Sequence, residues 1–399
     1  MSGRLALLAL LAAAAPAFPA DLQTLTGKRI SGEVAAIDAK GITLRTEGGE
    51  VVVPLKEALL LDLGGKPAPP KDAYIDVELT DGSLLHCTAF AIKGKTAVLT
   101  LYAPEGAGER TVEVPFTSLF YVVRDAGTLR GRADWQKLLA GRGNRDILVV
   151  ERAGRLDGLE GTAGEGSPDG DALAFVLASG KEVNIKLARV QGLIFNQPPQ
   201  GNVAPTLCKV TDAGGNLYAA RELALARGRL ALTTVGGLKV ELPDLKQVAK
   251  LDFSQGKLTY LSDLDPVEAQ ETPREDFGAS YRRDTNLDGD APIRMAGEAY
   301  AKGLSLHPRT VLAYDIGGEY KELKFVLGVD DACITDSQVV VIVEGDNREI
   351  YKAEVRRKEP PRPVTLNVKG VKNLRIIVDS PTLLHTGNQV SLADAKVSK

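Results

Sequence analysis

The chain is poor in the residues on which most enzymes depend. Its 399 residues include three histidines, three cysteines and one tryptophan. Because His86, His307 and His385 are far apart in the sequence, their spacing indicates neither a nucleophile–base pair nor a metal-ligand cluster. A glycosidase would need two carboxylates on a large catalytic scaffold, and no α/β region of that size is evident. We therefore predict that the protein is not an enzyme.

Charge and cysteine content exclude two further classes. The net charge of −3 leaves no concentrated basic surface of the kind that nucleic-acid binding requires. An exported domain stapled by disulfides would carry more cysteines, in even number, whereas Cys87, Cys208 and Cys333 are widely separated. We expect these three to be small buried apolar residues, with at most one pair bridged.

The N-terminus carries the features of an export signal. Leu5–Ala15 form an apolar run after Arg4, and Ala17 and Ala20 are small residues at which a signal peptidase could cut. The run is shorter than the roughly 20 apolar residues of a membrane helix. We predict a signal peptide at residues 1–20 and an exported mature chain without a transmembrane segment, located in the periplasm, in the cell envelope or outside the cell. A retained N-terminal anchor is the alternative.

The region from residue 21 to 255 repeats one pattern four times. Each copy carries a β-rich signature followed by a short apolar run; the signatures are Val51–Pro54, Val112–Pro115, Val183–Lys186 and Val240–Pro243. Spacings of roughly 60 to 70 residues suit a small β unit, and the alternation in Ile75–Leu79 favours strands. We predict four small antiparallel units similar to SH3- or Sm-like barrels, at residues 21–66, 72–126, 146–197 and 203–255.

Helix is scarce in this pattern. Leu129–Ala140, which contains Trp135, is predicted as a short amphipathic helix in a linker at residues 127–145, and Glu222–Arg227 is a second candidate. Consecutive prolines after Lys66 and after Gln197 mark further linkers, because proline cannot join the interior of a sheet.

The C-terminal segment, residues 258–399, is also predicted to be β. Val339–Val343 is a continuous β-branched run typical of a core strand, and Val364–Val368 alternates between apolar and polar residues. Many short strands joined by polar turns favour a sandwich or jelly roll.

Five motifs of this segment occur in the order and spacing of one known family. They are Tyr260-Leu261-Ser262-Asp263-Leu264, Tyr300-Ala301-Lys302-Gly303-Leu304-Ser305-Leu306-His307, Leu327-Gly328-Val329-Asp330-Asp331, Asn373-Leu374-Arg375-Ile376-Ile377-Val378 and Leu392-Ala393-Asp394-Ala395-Lys396-Val397. The segment, about residues 258–398, resembles the NPCBM (NEW2) family of carbohydrate-binding modules. The resemblance implies a jelly-roll β-sandwich of galactose-binding-like type and a carbohydrate ligand.

Polar loop residues of this domain are the candidates for sugar recognition. Loops on a rigid sandwich usually carry the binding residues, and side chains with directional hydrogen bonds fix sugar hydroxyls. The candidate carbohydrate-binding residues are Tyr281, Arg282, Arg283, Asp284, His307, Asp331, His385 and Asn388. A structural interpretation remains open for two of them: His307 as a packed residue at a strand end, and Asp331 as part of a turn that caps backbone N–H groups.

The domain contains no tryptophan, although the family often shows one in its last motif, where this chain has Val390-Ser391-Leu392. The usual aromatic platform for a sugar is therefore missing at that position. Tyr281 and Phe277 could supply the aromatic face instead, or they could cover a hydrophobic edge.

A calcium motif begins but is not completed. Asp284–Gly289 matches the start of an EF-hand loop, yet its twelfth position is Met295 instead of the bidentate glutamate. We predict no cofactor, with a structural calcium ion held by oxygens of residues 284–290 as an open alternative.

Two functions remain open at this point. The first is an exported, non-catalytic carbohydrate-binding protein that holds a glycan or polysaccharide in the loops of its C-terminal sandwich. The second is a structural or interaction scaffold of the cell envelope, whose N-terminal repeats bind envelope proteins and whose sandwich has lost sugar affinity. The histidine-containing polar loops favour the first function, and the missing tryptophan favours the second.

Overall fold

A computed structural model describes residues 19–104, 107–197, 205–271, 280–380 and 387–399. Within these ranges the chain is built almost entirely of antiparallel strands with one short α-helix, so the predicted all-β class is confirmed. No helix in the described ranges is long and apolar enough to cross a membrane. The chain divides into two compact units, Met1–Gln255 and Gly256–Lys399.

The first unit contains four copies of one five-stranded arrangement, here called copies 1 to 4. Copy 1 comprises β1 (Pro19–Thr24), β2 (Arg29–Asp38), β3 (Gly41–Thr46), β4 (Gly49–Val53) and β5 (Ala58–Asp62). Copy 2 comprises β6 (Ile75–Leu79), β7 (Leu84–Lys93), β8 (Thr96–Leu101), β9 (Arg110–Pro115) and β10 (Leu119–Val123). Copy 3 comprises β11 (Asp146–Arg152), β12 (Arg155–Gly166), β13 (Ala172–Leu177), β14 (Glu182–Lys186) and β15 (Gly192–Ile194). Copy 4 comprises β16 (Cys208–Asp212), β17 (Leu217–Ala226), β18 (Arg229–Thr234), β19 (Lys239–Leu242) and β20 (Val248–Asp252).

Strand order is the same in every copy. The first strand pairs with the second and the fifth, and the second, third and fourth follow one another, as in copy 1 and copy 2. Copies 3 and 4 repeat this order. In every copy the second strand is long, and its pairing with the third strand contains a register shift. Such a bulge bends the strand that carries it. Closure of each copy into an SH3- or Sm-like barrel stays a prediction.

One predicted boundary falls inside a strand, and one predicted helix is absent. Strand β1 starts at Pro19, so residues 19 and 20 of the predicted signal peptide pair with β2; cleavage after Ala17 would leave this strand whole. The helix predicted at Glu222–Arg227 is wrong, since Leu217–Ala226 form β17. Pairing of β17 with β16 and β18 buries alternate residues there, which overrides helix-favouring alanine and leucine.

The predicted helix near Trp135 is present as α1 (Arg132–Ala140), between copies 2 and 3. Trp135 is buried and packs with Ile147 and Val149 of β11. The helix therefore covers one face of copy 3.

The copies pair with one another through corresponding residues. Strands β5 and β20 pair around Leu61 and Leu251, and β10 and β15 pair around Val122 and Leu193. The second strands of copies 2 and 4 meet at Leu84 and Leu217. Each contact joins equivalent positions, so neighbouring copies are related by approximate two-fold symmetry.

The second unit is a sandwich of two antiparallel sheets. Its strands are β21 (Leu258–Tyr260), β22 (Glu268–Glu271), β23 (Arg282–Arg283), β24 (Ile293–Met295), β25 (Glu298–Tyr300), β26 (Gly303–Leu306), β27 (Thr310–Asp315), β28 (Glu322–Gly328), β29 (Gln338–Gly345), β30 (Arg348–Arg356), β31 (Arg362–Asn367), β32 (Asn373–Asp379) and β33 (Val390–Ser398). Sheet I has the order β23-β26-β33-β28-β31, with β21 also on β33, and sheet II has the order β22-β27-β32-β29-β30. A separate hairpin is formed by β24 and β25.

The inner faces of sheets I and II share one apolar core. Leu304, Phe325 and Leu392 of sheet I are buried with Val341 and Ile376 of sheet II in a single cluster. The alternation predicted for this segment follows from that burial, because every second side chain of a strand faces the core.

All three cysteines are buried and unbridged. Burial raises the pKa of the Cys87 thiol far above its ordinary value, with the nearby Asp76 adding to the effect. These residues therefore act as small apolar core residues, as predicted.

Candidate functional site

One end of the sandwich collects four of the seven predicted site residues that the structure describes, namely Tyr281, Arg283, His307 and Asn388. Leu306 and Val390 are the last pair between β26 and β33, so His307 and Asn388 follow just beyond this pair on the two strands. Tyr281 precedes β23 on the same side, since Arg282 pairs with Ser305. We call this region the His307 end.

His307 is held between two strands at this end. Its Nε2 lies 3.0 Å from Glu271 Oε1, and its Nδ1 lies 2.8 Å from the carbonyl oxygen of Pro308. Glu271 also accepts hydrogen bonds from the backbone N–H of Tyr281, at 2.6 Å, and from Ser280 Oγ, at 2.5 Å. Its carboxylate thus joins β22, the start of β23 and the turn after β26. Such cross-linking fixes the polar groups before any ligand arrives.

Arg283 places a charged donor beside an aromatic ring. Its Nη2 donates to Tyr281 Oη at 3.2 Å, and its Nη1 donates to Asp265 Oδ1 at 3.0 Å. The guanidinium carbon is 5.9 Å from the centre of the Tyr281 ring, within cation–π range. The hydrogen bond to Tyr281, together with that to Asp265, raises the pKa of Arg283 above its ordinary value. The side chain is 32% exposed, so part of its fork of donors remains available to solvent.

Asn388 lies at the His307 end, but its amide is used internally. Its Nδ2 donates to the Gln338 carbonyl at 3.0 Å and to Ser380 Oγ at 3.3 Å, and its Oδ1 accepts from Gln338 N–H. The side chain is buried. Asn388 therefore ties the start of β33 to the start of β29, which positions the loops around it.

The sequence analysis did not single out Ile334, which is the most exposed large apolar side chain in the described ranges at 88%. Ile334 lies in the connection from β28 to β29, at the His307 end, and its carbonyl accepts a hydrogen bond from Arg357 at 3.3 Å. Its neighbour Cys333 is buried. The only signal in the sequence is an isoleucine flanked by short polar residues between two strands, which is too common to identify a site.

Asp284 and Arg282 lie away from the His307 end. Asp284 accepts from Lys302 Nζ at 2.9 Å and from Gly303 N–H at 3.1 Å, while Lys302 also pairs with Asp263. Burial acts to raise the pKa of Asp284, but hydrogen bonds, including that from Lys302, outweigh it and lower the pKa. The Arg282 side chain is exposed and lies against Gly289. Lys302, Asp263 and Asp284 thus form an ion-pair network, which joins the family motif that begins at Tyr260 to the one that begins at Tyr300.

Asp330 and Asp331 hold the hairpin of β24 and β25. Asp330 is buried, and its Oδ2 accepts from Arg294 N–H at 2.8 Å. Asp331 accepts from the N–H groups of Ala296 and Gly297, each at 2.9 Å. The two carboxylates accept hydrogen bonds from the backbone of this turn. Asp331 therefore makes the contacts expected of a residue that caps a turn, which was its structural alternative.

The ordered motifs, the sandwich and the contacts among the motif residues agree with one family. Residues 257–398 match the NPCBM/NEW2 domain. The resemblance identified from the sequence is thereby confirmed for the C-terminal unit, which we call the NPCBM domain.

Comparison with other proteins gives further matches. A protein of Renibacterium salmoninarum named "Putative endo-alpha-N-acetylgalactosaminidase" is 28% identical over 121 residues, which are 29% of this chain and 8% of that relative. The chain therefore spans a small part of the relative's length. Among solved structures, CBM51 from Clostridium perfringens GH95 in complex with methyl-galactose is 22% identical, with a TM-score of 0.32, over 35% of this chain and 99% of that chain. The tandem CBM51 modules of Sp3GH98, from Streptococcus pneumoniae SP3-BS71, are 12% identical, with a TM-score of 0.32, over 95% of this chain and 87% of theirs.

The roles predicted for Phe277 and for His385, and the calcium ion considered for residues 284–290, stay predictions. Phe277 and His385 lie outside the described residues. No group of three or more His, Cys, Asp or Glu side chains in the described ranges is arranged to hold a metal ion. In the loop considered for calcium, Asn286 is buried, accepts from the N–H of Gly289 and donates to Asp290, so an asparagine organises this turn.

The two carboxylates on the hairpin should differ in their contribution to stability. We expect Asp330→Ala to destabilise the NPCBM domain by about 2–3 kcal/mol, because a buried carboxylate that accepts two backbone N–H groups is lost. Asp331→Ala, at an exposed position, should cost about 1 kcal/mol. Hydrogen exchange of residues 293–300 measures both, and equal protection in the two variants would contradict this ranking.

Proposed function

We propose that this chain is an exported, non-catalytic carbohydrate-binding protein whose NPCBM domain holds a glycan at the His307 end. The observation that carries the proposal is the match of residues 257–398 to a family of carbohydrate-binding modules. Domains of this kind are binding modules without catalytic activity, in keeping with the dispersed histidines of the sequence.

The chemistry of the His307 end supports sugar recognition. A sugar hydroxyl both donates and accepts, so it is best held where charged donors and acceptors alternate. Arg283 offers donors, while Glu271 and Asp265 offer carboxylate oxygens within the same small region. These groups are fixed by mutual hydrogen bonds, which lowers the entropy lost on binding.

Apolar contact with the C–H face of a sugar would come from two side chains. The Tyr281 side chain is half-buried and packs against the core, and the Arg283 guanidinium lies beside its ring. Ile334 adds exposed apolar area on another loop of the same end. Since no tryptophan is available, we expect a shallow site and weak affinity for a single sugar residue.

The test is a glycan array probed with the purified full-length chain, with calcium and with a chelator. The array should include α- and β-galactosides, N-acetylgalactosaminides and N-acetylglucosaminides as probes. We expect selective binding to a subset of these glycans. Binding that is unchanged by the chelator would count against a calcium requirement. Silence across the array from a folded protein would overturn the proposal and favour the interaction scaffold.

The scaffold remains the second candidate because of the size of the first unit. Four β copies precede the NPCBM domain, and they pair through equivalent residues into one assembly. A sugar-binding module needs no such assembly for its own stability. Binding of envelope proteins by these copies would suit either candidate.

A further inference from the structure

The four copies of the first unit have an equivalent apolar pair at the centre of their first and fifth strands. The central pair between the first and fifth strands is Leu22–Leu61, Val77–Val122, Leu148–Leu193 and Val210–Leu251. The first residue of each pair is buried. The residue before it therefore faces the opposite side of the strand. These outward positions are Asp21, Asp76, Ile147 and Lys209, and their partners on the second strand are Ser31, His86, Glu160 and Ala219.

In copies 2 and 4 these outward faces cover each other. The His86 ring lies against Gly215, where an added Cβ would be 3.2 Å from the ring. His86 N–H donates to Asn216 Oδ1 at 2.8 Å, and Ala219 N–H donates to Ser83 Oγ at 3.0 Å. His86 Nδ1 is also 2.6 Å from Asp76 Oδ1. The outward face of copy 2 is thus covered by copy 4, and that of copy 4 is covered by copy 2.

In copy 3 the corresponding face is covered by the helix. Ile147 is buried in a cluster with Trp135 of α1. A Cβ on Gly158, in the neighbouring strand, would be 2.8 Å from Leu138 of the same helix. Three of the four equivalent faces are therefore covered by protein.

In copy 1 the described residues of the first unit leave the equivalent face open. Asp21 and Ser31 are exposed, and they line a basin of about 1030 Å³. Its charged lining residues are Asp21, Glu33, Arg45, Glu47 and Asp62. The single cation, Arg45, pairs with Glu50 at 3.2 Å. The basin is consequently strongly acidic.

Two carboxylates are opposed at the edge of this basin. Asp21 and Asp62 are direct partners across β1 and β5, while Lys250 of β20 is the direct partner of Asp62 on its other side, so one cation already offsets part of the like-charge repulsion. The equivalent pairs in the other copies are Asp76–Val123, Ile147–Ile194 and Lys209–Asp252. Only copy 1 opposes two carboxylates, and the direct cross-strand partners of Asp21 are Ser31 and Asp62, so a cationic group beside Asp21 would reduce the remaining repulsion.

We propose that the open face of copy 1 docks a lysine- or arginine-rich segment of another protein. Charge complementarity identifies this occupant, because four carboxylates surround the basin. A second copy of this chain presents the same acidic face, so a symmetric contact like that of copies 2 and 4 would bring like charges together. The basic segment would cover the face as α1 covers copy 3.

A labelled ten-residue peptide of alternating lysine and serine serves as the probe, with binding to the full-length chain followed by fluorescence anisotropy. The test variant is Asp21→Asn with Asp62→Asn, and asparagine can still accept the local hydrogen bonds of each aspartate. The matched control is Asp157→Asn with Glu182→Gln, which removes the same charge from exposed positions of copy 3. We expect the test variant to bind at least tenfold more weakly, and the control to bind like the unmodified chain.

Thermal unfolding checks that the test variant is folded. We expect its melting temperature to stay within about 4 °C of that of the unmodified chain, because the opposed carboxylates and the neighbouring Asp62–Lys250 charge pair are removed together. Equal weakening in both variants, or no binding by the unmodified chain, would overturn the proposal. A dimer that dissociates only in the test variant, seen by sedimentation, would instead identify a second copy as the occupant. Displacement of the peptide by calcium alone would indicate a simple cation site.

Discussion

Replacing Asp212 by alanine is expected to destabilise the first unit by about 3–5 kcal/mol. Its carboxylate accepts four hydrogen bonds, from Gly214 N–H, Asn216 N–H and Asn216 Nδ2, each at 2.9 Å, and from Tyr218 Oη at 3.1 Å. Asn216 and Tyr218 are fully buried, so water cannot replace the lost acceptor without rearrangement. Urea unfolding monitored by Trp135, the single tryptophan, reports on this unit.

The control for this prediction is Asp244→Ala in the same copy. The Asp244 carboxylate accepts one hydrogen bond, from Lys246 N–H at 2.9 Å, and the residue is only partly buried. Its loss should cost about 0.5–1 kcal/mol. A loss of similar size for the two variants would contradict the role assigned to the buried Asp212 network.

The same carboxylate predicts a pH dependence. Burial raises the pKa of Asp212, and the hydrogen bonds from Asn216 and Tyr218 offset this only in part. The folded state therefore takes up a proton at higher pH than the unfolded state, whose value is about 3.9. The contribution of Asp212 to the unfolding free energy should fall as pH rises from about 3.9 to the raised folded pKa, and stay constant above it. Asp212→Asn should lack this slope when both proteins are unfolded in urea between pH 3 and 7.

Much of the fold could be predicted because the strands are buried on one face. The signature Val112–Pro115 became β9, and Val240–Leu242 became part of β19, each the fourth strand of its copy. In these two copies the signature precedes a short 3-10 turn and the fifth strand, which explains the apolar run that followed it in the sequence. Alternation of this kind is a local property and can be detected without knowing strand partners.

Pairing between the copies could not be predicted. The contact of Leu61 with Leu251 joins residues far apart in the sequence, and no local pattern distinguishes a strand that pairs with another copy from one that faces solvent. The helix wrongly predicted at Glu222–Arg227 has the same origin. Its alanine and leucine content suits a helix, and only its pairing with neighbouring strands makes it part of β17.

Candidate residues could be located by loop position, but their contacts could not. Strand β23 has two residues, and they face opposite sides: Arg283 is paired with Leu304 of the core face, and Arg282 with Ser305. Arg283 therefore lies beside Tyr281, whereas its neighbour Arg282 lies on the outer surface. Asp331 is the last residue of a family motif, yet its carboxylate is directed to the backbone of a hairpin. Composition and spacing contain no information about such directions.

The adjacent arginines allow a matched test of sugar binding. With the glycan selected by the array, we expect Arg283→Ala to weaken binding about 10- to 100-fold, since a hydrogen bond from a charged group contributes about 1.5–3 kcal/mol. Arg282→Ala removes the same charge one residue away, on the outer face, and should change the dissociation constant less than about twofold. Isothermal titration of the full-length chain measures both.

Two further variants separate the polar and apolar parts of the site. Glu271→Gln keeps an acceptor for Tyr281 N–H but removes the carboxylate beside His307, so sugar binding should weaken about tenfold with little loss of fold. Ile334→Ser removes exposed apolar area without touching the core, and it should weaken binding a few-fold. If Arg282→Ala weakened binding as much as Arg283→Ala, while Glu271→Gln and Ile334→Ser had no effect, the glycan would lie on the outer face and not at the His307 end.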